Sequence, residues 1–142
     1  MEMFVKEEWR ETLTSIGLLI MRVWIGLTML IAHGWPKLAN FSERSETFSD
    51  PLGIGSFMSL TLAVGAEVFA SIFIIFGLLT RAMAVPLLIT MLVAAFIVHG
   101  DDPYQKQEFA LLFGFSYLLL IFTGPGKYAV DTYLERWWKN RG

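Results

Sequence analysis

Four apolar stretches dominate the chain: Leu13 to His33, Phe57 to Leu79, Ala82 to His99 and Glu108 to Thr123. A helix needs about 20 apolar residues to cross a bilayer. The pattern therefore predicts an all-α membrane protein, a four-helix transmembrane bundle forming one domain over residues 1–142. The last two stretches are short for the task and must stand nearly upright or lean on their neighbours. Only Thr80 and Arg81 separate the second from the third, which predicts a tight antiparallel hairpin. The long loop, Gly34 to Ser56, carries Pro36, Pro51, Gly53 and Gly55. Beyond the Gly124-Pro125-Gly126 break, Val130, Tyr133, Leu134, Trp137 and Trp138 recur at helical spacing, opposed by Asp131, Glu135, Arg136 and Lys139. Such a segment is an amphipathic helix lying along the headgroups. Phe4, Val5 and Trp9 suggest a weaker version of the same thing ahead of the first span.

Composition agrees with a lipid environment: 55% of residues are hydrophobic, 17% are charged, and the mean hydropathy is +0.55. A net charge of −2 without a basic cluster leaves no footprint for nucleic acid. The chain has no cysteine, so it forms no disulfide and offers no thiolate; a redox role needs a bound cofactor or a partner. Outside the spans, Lys6, Arg10, Arg81, Lys127, Arg136, Lys139 and Arg141 face Lys37, Arg44 and Lys106 across the bilayer. That asymmetry places both termini in the cytoplasm, with the chain in a bacterial or archaeal plasma membrane, the inner membrane of a Gram-negative cell. The glutamates of MEMFVKEEWR and the lack of a small-residue cleavage site mark the first stretch as a retained span.

Two charges interrupt the apolar runs. Arg22 and Glu67 each cost about 2.5 to 3.5 kcal/mol at the centre of a span, and counting residues from the cytoplasmic ends puts them at similar depth. An Arg22 to Glu67 ion pair is the expectation, as a packing device or as the polar floor of a pocket. His33 and His99 end spans, and Glu108 opens one, all on the outer side, with Lys37 in the adjoining loop. Histidine exchanges protons near neutral pH, so His33, His99 and Glu108 form a candidate proton-exchange cluster. Each also suits a helix end, histidine at a C-terminus and glutamate at an N-terminus. No His-x-x-His or Glu-x-x-His spacing occurs, and neither a metal nor a haem is expected. Gly65, Ala66, Ala70, Ser71 and Gly26 read as small residues that let helices approach.

The ordered segments Leu19-Ile20-Met21-Arg22-Val23-Trp24-Ile25-Gly26-Leu27, Ala32-His33-Gly34-Trp35-Pro36-Lys37-Leu38, Gly65-Ala66-Glu67, Gly77-Leu78-Leu79-Thr80-Arg81, His99, Glu108-Phe109-Ala110-Leu111-Leu112 and Thr123-Gly124-Pro125-Gly126-Lys127-Tyr128-Ala129-Val130-Asp131 resemble the DoxX family of small four-span membrane proteins. The resemblance runs from about Ile16 to Asp131. It implies a membrane subunit linked to quinone chemistry or a partner of a redox enzyme, and it maps the family's recurrent polar positions onto Arg22, His33, Lys37, Glu67, His99 and Glu108. Arg22, Lys37 and Glu67 become a candidate buried pocket, with quinone the cofactor to expect. His33 or His99 could bond a quinone oxygen, Glu108 could pass protons outward, and Trp24, Phe69, Phe73 and Phe96 could wall a ring. The chain would then be at most an oxidoreductase subunit, inactive alone, either self-associated or part of a complex. Competing expectations are a non-catalytic scaffold or assembly protein and, less favoured, a small-solute transporter, which would want a helix broken at mid-membrane.

Overall fold

The computed structural model describes residues 6–141, so Phe4 and Val5 lie outside it. Among the described residues, four helices are long and apolar enough to cross a membrane: α1 (Glu7–Ala39), α3 (Ser56–Phe76), α4 (Thr80–Val98) and α5 (Tyr104–Thr123). A short helix, α2 (Phe41–Arg44), sits in the loop after α1, and α6 (Val130–Lys139) follows the Gly-Pro-Gly break. The four long helices alternate in direction, so both ends of the described chain emerge on one face, here the terminal face. The α1–α3 and α4–α5 connections lie on the other, the loop face. The core joins Ile25 and Met29 of α1, Ala70 and Ile74 of α3, Leu87 and Met91 of α4, and Phe113, Tyr117 and Leu120 of α5. Trp24, Phe69, Phe96, Phe115 and Phe122 point outward, as side chains facing lipid would.

Helix ends depart from the apolar runs in ways that matter. His33 does not end a span: α1 continues through a π-helical turn, Met29–Gly34, and carries Trp35, Pro36 and Lys37 as helix. Proline lacks an N–H and crowds the carbonyl four residues earlier, and the wider turn just ahead accommodates it. At the other face, α3 stops at Phe76 rather than Leu79. Gly77 adopts the left-handed conformation (φ 69°), Leu78 N–H donates to Phe73 C=O at 2.9 Å, and Gly77 N–H to Ile74 C=O at 3.1 Å. This is the Schellman arrangement that glycine favours. Thr80 and Arg81 therefore begin α4, leaving Gly77, Leu78 and Leu79 as the hairpin connection.

The expected Arg22–Glu67 pair does not form. Arg22, only 2% exposed, donates to the Tyr128 carbonyl and wedges against Gly77, where a Cβ would collide with its guanidinium. Glu67 instead lies level with Gly34, whose missing side chain lets α1 touch the Glu67 carbonyl. Gly77, just past the end of α3, is ten residues on from Glu67, which at 1.5 Å per residue separates the two charges by about 15 Å along the bundle. The depth count failed because α1 starts at Glu7 and α3 ends at Phe76, shifting both helices against the apolar boundaries.

Asp131 completes the knot on the terminal face. Its carboxylate accepts from Leu79 N–H at 2.7 Å and Thr80 N–H at 2.9 Å, its own N–H donates to Gly77 C=O at 2.9 Å, and its charge is felt by Arg22. An acid at a helix start offsets the orphan N–H groups there. It also holds Leu79 at φ 47°, a conformation unusual for a non-glycine residue. On the loop face, Asp50 organises the segment before α3, accepting from Ile54 N–H (2.9 Å), Gly55 N–H (2.8 Å) and Ser59 Oγ–H (2.8 Å). The Gly55 and Ser59 bonds hold its carboxyl below the usual carboxylate range.

Two outcomes follow. A Cβ at residue 34 would lie 2.6 Å from the Glu67 carbonyl oxygen; backbone cannot move aside as a side chain does, so Gly34→Ala should cost about 1–3 kcal/mol, read as a lower Tm in detergent. Because the Asp50 carboxyl titrates below its ordinary value, its ordering of the loop is complete above a pH of about 3.9 and fades as pH falls below that. Amide exchange across residues 50–59 should be faster in Asp50→Ala than in the native protein at neutral pH, and the difference should vanish on strong acidification.

Candidate functional site

Near the loop face, α1, α3, α4, α5 and the segment Phe48 to Ile54 enclose a cavity of about 430 Å³, within the range that holds small molecules and cofactors. Its walls are mostly apolar: Met29, Leu62, Ala63, Ile89, Val93, Ala94, Val98 and Phe109, roofed by Phe48, Pro51, Leu52 and Ile54. Leu62 and Ile89 belong both to this lining and to the exposed surface, so the cavity reaches the apolar flank between α3 and α4. Its polar groups are few: Glu67, Lys37 and His33 at one end, His99 and Lys106 at the other, and the hydroxyls of Ser49, Ser59 and Thr90.

Lys37 is the partner of Glu67, with Nζ 2.5 Å from Oε2. The Glu67 side chain is 6% exposed and that of Lys37 17%. Lys37 Nζ also reaches the His33 carbonyl, one turn back, at 3.4 Å. A buried carboxylate left unpaired would be strongly destabilising, and a partner with good geometry offsets most of that cost. The His33 ring packs against Phe109 and Phe113 at centroid distances of 5.2 and 6.4 Å. At the mouth, His99 Nδ1 lies 2.8 Å from Asp102 Oδ2, and Lys106 Nζ donates to the other Asp102 oxygen at 3.2 Å. The His99 bond first, then the Lys106 bond, holds the Asp102 carboxyl below its usual range. Gln107 fixes this turn by donating to the His99 carbonyl at 2.9 Å.

Three π-helical turns, Met29–Gly34, Gly65–Ala70 and Ala94–Val98, lie around the cavity. They carry His33, Glu67 and the Ala94 and Val98 walls. An extra residue in a turn rotates the side chains beyond it, and such turns recur at functional sites. No periodicity in the apolar pattern announces them.

Of the six residues expected to matter, the structure brings four into one cavity: His33, Lys37, Glu67 and His99. Arg22 lies in the knot on the terminal face. Glu108 is exposed on α5 and outside the lining, because that helix begins at Tyr104 and position 108 falls on its outer side. Trp24, Phe69 and Phe96 face outward and none of Trp24, Phe69, Phe73 and Phe96 lines the cavity; the aromatic walls are Phe48 and Phe109 instead. From the sequence, Asp102 is placed only in a loop adjoining the cluster, and Lys106 and the Phe48 to Ile54 roof are missed as parts of the site. The i, i+3 and i, i+4 spacing of His99, Asp102 and Lys106 was the available signal for the first two. Among the described residues, no group of three or more His, Asp and Glu side chains is placed to hold a metal ion.

Known proteins supply a consistent frame. The chain is 29% identical over 132 residues to "Inner membrane protein YqjF" of Escherichia coli (strain K12), covering 89% of this chain and 98% of that one. It is 29% identical over 127 residues to "Putative oxidoreductase CatD" of Bacillus subtilis (strain 168), covering 89% and 92%. It is 28% identical over 135 residues to an uncharacterised protein of Haemophilus influenzae, covering 87% and 86%. No solved structure matches it. Residues 17–100, which include α1 from Gly17 onward, the loop, α3 and α4, match DoxX, and the chain belongs to the DoxX family.

Proposed function

We propose that this protein is a small integral subunit of the bacterial inner membrane that serves quinone-linked redox chemistry, and that the cavity beside Lys37 and Glu67 receives the quinone ring. The observation that carries the proposal is a buried, paired carboxylate at the polar end of an apolar cavity that reaches the lipid flank. The relatives' names support it: one is an inner membrane protein and another bears the name of an oxidoreductase. The charge asymmetry between faces supports an orientation with the termini in the cytoplasm.

The residues present fit such a group. Lys37 Nζ–H and the His33 ring N–H can donate to a ring oxygen, Phe109 and Phe48 offer apolar walls, and the flank between α3 and α4 gives entry from lipid. A bound quinone would accept electrons together with protons. Glu67 holds or releases a proton beside the ring, and Lys37 steadies its ionised form. His33 orients the head and is itself oriented by Phe109 and Phe113. The walls around the reacting atoms are mostly apolar. With no cysteine in the chain, electrons need a further bound cofactor or a partner; in this reading a redox enzyme docked against the bundle supplies them, and the subunit is inactive alone.

The test is binding. A short-chain quinone analogue at about a hundredfold excess over its Kd should stabilise the detergent-purified protein by about 2.7 kcal/mol, read as a raised Tm. Glu67→Gln and His33→Ala should keep the fold and lose that rise. A native protein that carries no quinone from the membrane and whose Tm no analogue moves contradicts the proposal.

A further inference from the structure

Beyond Glu67, toward the terminal face, the bundle holds two buried hydroxyls that the cavity does not use. Ser71 lies one turn from Glu67 on the same side of α3, and Tyr117 reaches the same place from α5; both residues are fully buried. The two hydroxyls lie beside one another, within reach of the Glu67 charge. They extend the polar surroundings of Glu67 by one turn, and there the polar column stops.

The next layer is apolar from every helix. Ile25 of α1, Ile74 of α3, Ala84 of α4 and Leu120 of α5 are 7%, 0%, 0% and 0% exposed. Only past this layer do Arg22 and Thr80 appear, held in the knot with Gly77, Tyr128 and Asp131. Toward the loop face, by contrast, Glu67 is followed by Lys37 and His33, the cavity, and His99 and Lys106 at its mouth. The titratable groups facing Glu67 are Lys37 and His33 from α1 and Tyr117 from α5; α4 lines its side of the cavity with Ile89, Thr90, Met91, Val93 and Ala94, none of which titrates.

We propose that Glu67 exchanges its proton with the loop face alone, with Tyr117 and Ser71 forming the closed inner end of the path and the Ile25, Ile74, Ala84 and Leu120 layer sealing it from the terminal face. The proposal deepens the functional reading by giving the site's protons a side. It rests on Glu67 being the protonatable end of the cavity and not on what occupies that cavity.

A lipid-soluble carbodiimide tests it. The reagent attacks only a protonated carboxyl: the O–H adds across one C=N bond to give an O-acylisourea, which rearranges to a stable N-acylurea. Quinone-free protein in proteoliposomes of known orientation is labelled with each side buffered separately, and modification at Glu67 is followed by peptide mass, with Glu67→Gln as the control for position. Lowering the pH on the loop face should raise the rate by up to about tenfold per unit while Glu67 is mostly ionised. The same change on the terminal face should leave it unaltered. A rate that follows the terminal-face pH, or neither pH, overturns the proposal. Because no quinone is present, failed quinone binding leaves this result standing, and the reverse holds equally.

Discussion

The Lys37–Glu67 pair is the constraint on which the loop-face half of the molecule depends. A carboxylate this deeply buried must be matched, and its match sits on a different helix at 2.5 Å. For Lys37 to reach it, α1 must stay helical past Pro36, which the π turn at Met29–Gly34 permits, and α1 must lie almost on the α3 backbone, which Gly34 permits. Both conditions also bring His33 to the edge of the cavity. The geometry of one ion pair thus sets the approach of two helices, the position of a histidine and the polar end of an apolar chamber.

The terminal face solves a different problem with the same means. Arg22 has two nitrogens, Nε and Nη1, without hydrogen-bond partners, and its remaining contacts are the Tyr128 carbonyl and the end of α3 beside Gly77. A cation near a helix C-terminus is favoured by the exposed carbonyls and the helix dipole. Asp131, reaching back from α6, starts α4 and contributes the nearest balancing charge. This knot ties α1, the α3–α4 hairpin and the C-terminal helix together. It is an architectural device, separated by the Ile25 and Ile74 layer from the cavity where chemistry is proposed.

Much of this was legible in the chain. Apolar runs show four spans, Gly-Pro-Gly shows the stop before α6, and the order of polar positions carries the family resemblance. Depth was not legible, because it was counted from the edges of apolar runs, whereas the helices begin and end where capping allows. Gly77 stops α3 early, and α1 runs in both directions beyond its apolar core. The apolar pattern therefore predicts a loop position for Lys37, which is the partner of Glu67. Glu108 was placed in the cluster because its helix was started too late. The π turns leave no mark in a hydropathy pattern, since they change the facing of side chains and not their composition. The sequence groups His33 with His99, and the resemblance groups Lys37 with Glu67; only the helix register joins the two pairs.

The central claim is that Glu67 is matched by Lys37 rather than by Arg22, and a charge exchange decides between them. Each reversed single variant, Lys37→Glu or Glu67→Lys, places like charges together and should lower Tm sharply. The double variant Lys37→Glu/Glu67→Lys should recover most of that loss, because the coupling of a close pair is removed by either change and restored by both. If the double variant is no more stable than the worse single one, while Arg22→Glu/Glu67→Arg recovers stability, the pairing described for this bundle is wrong.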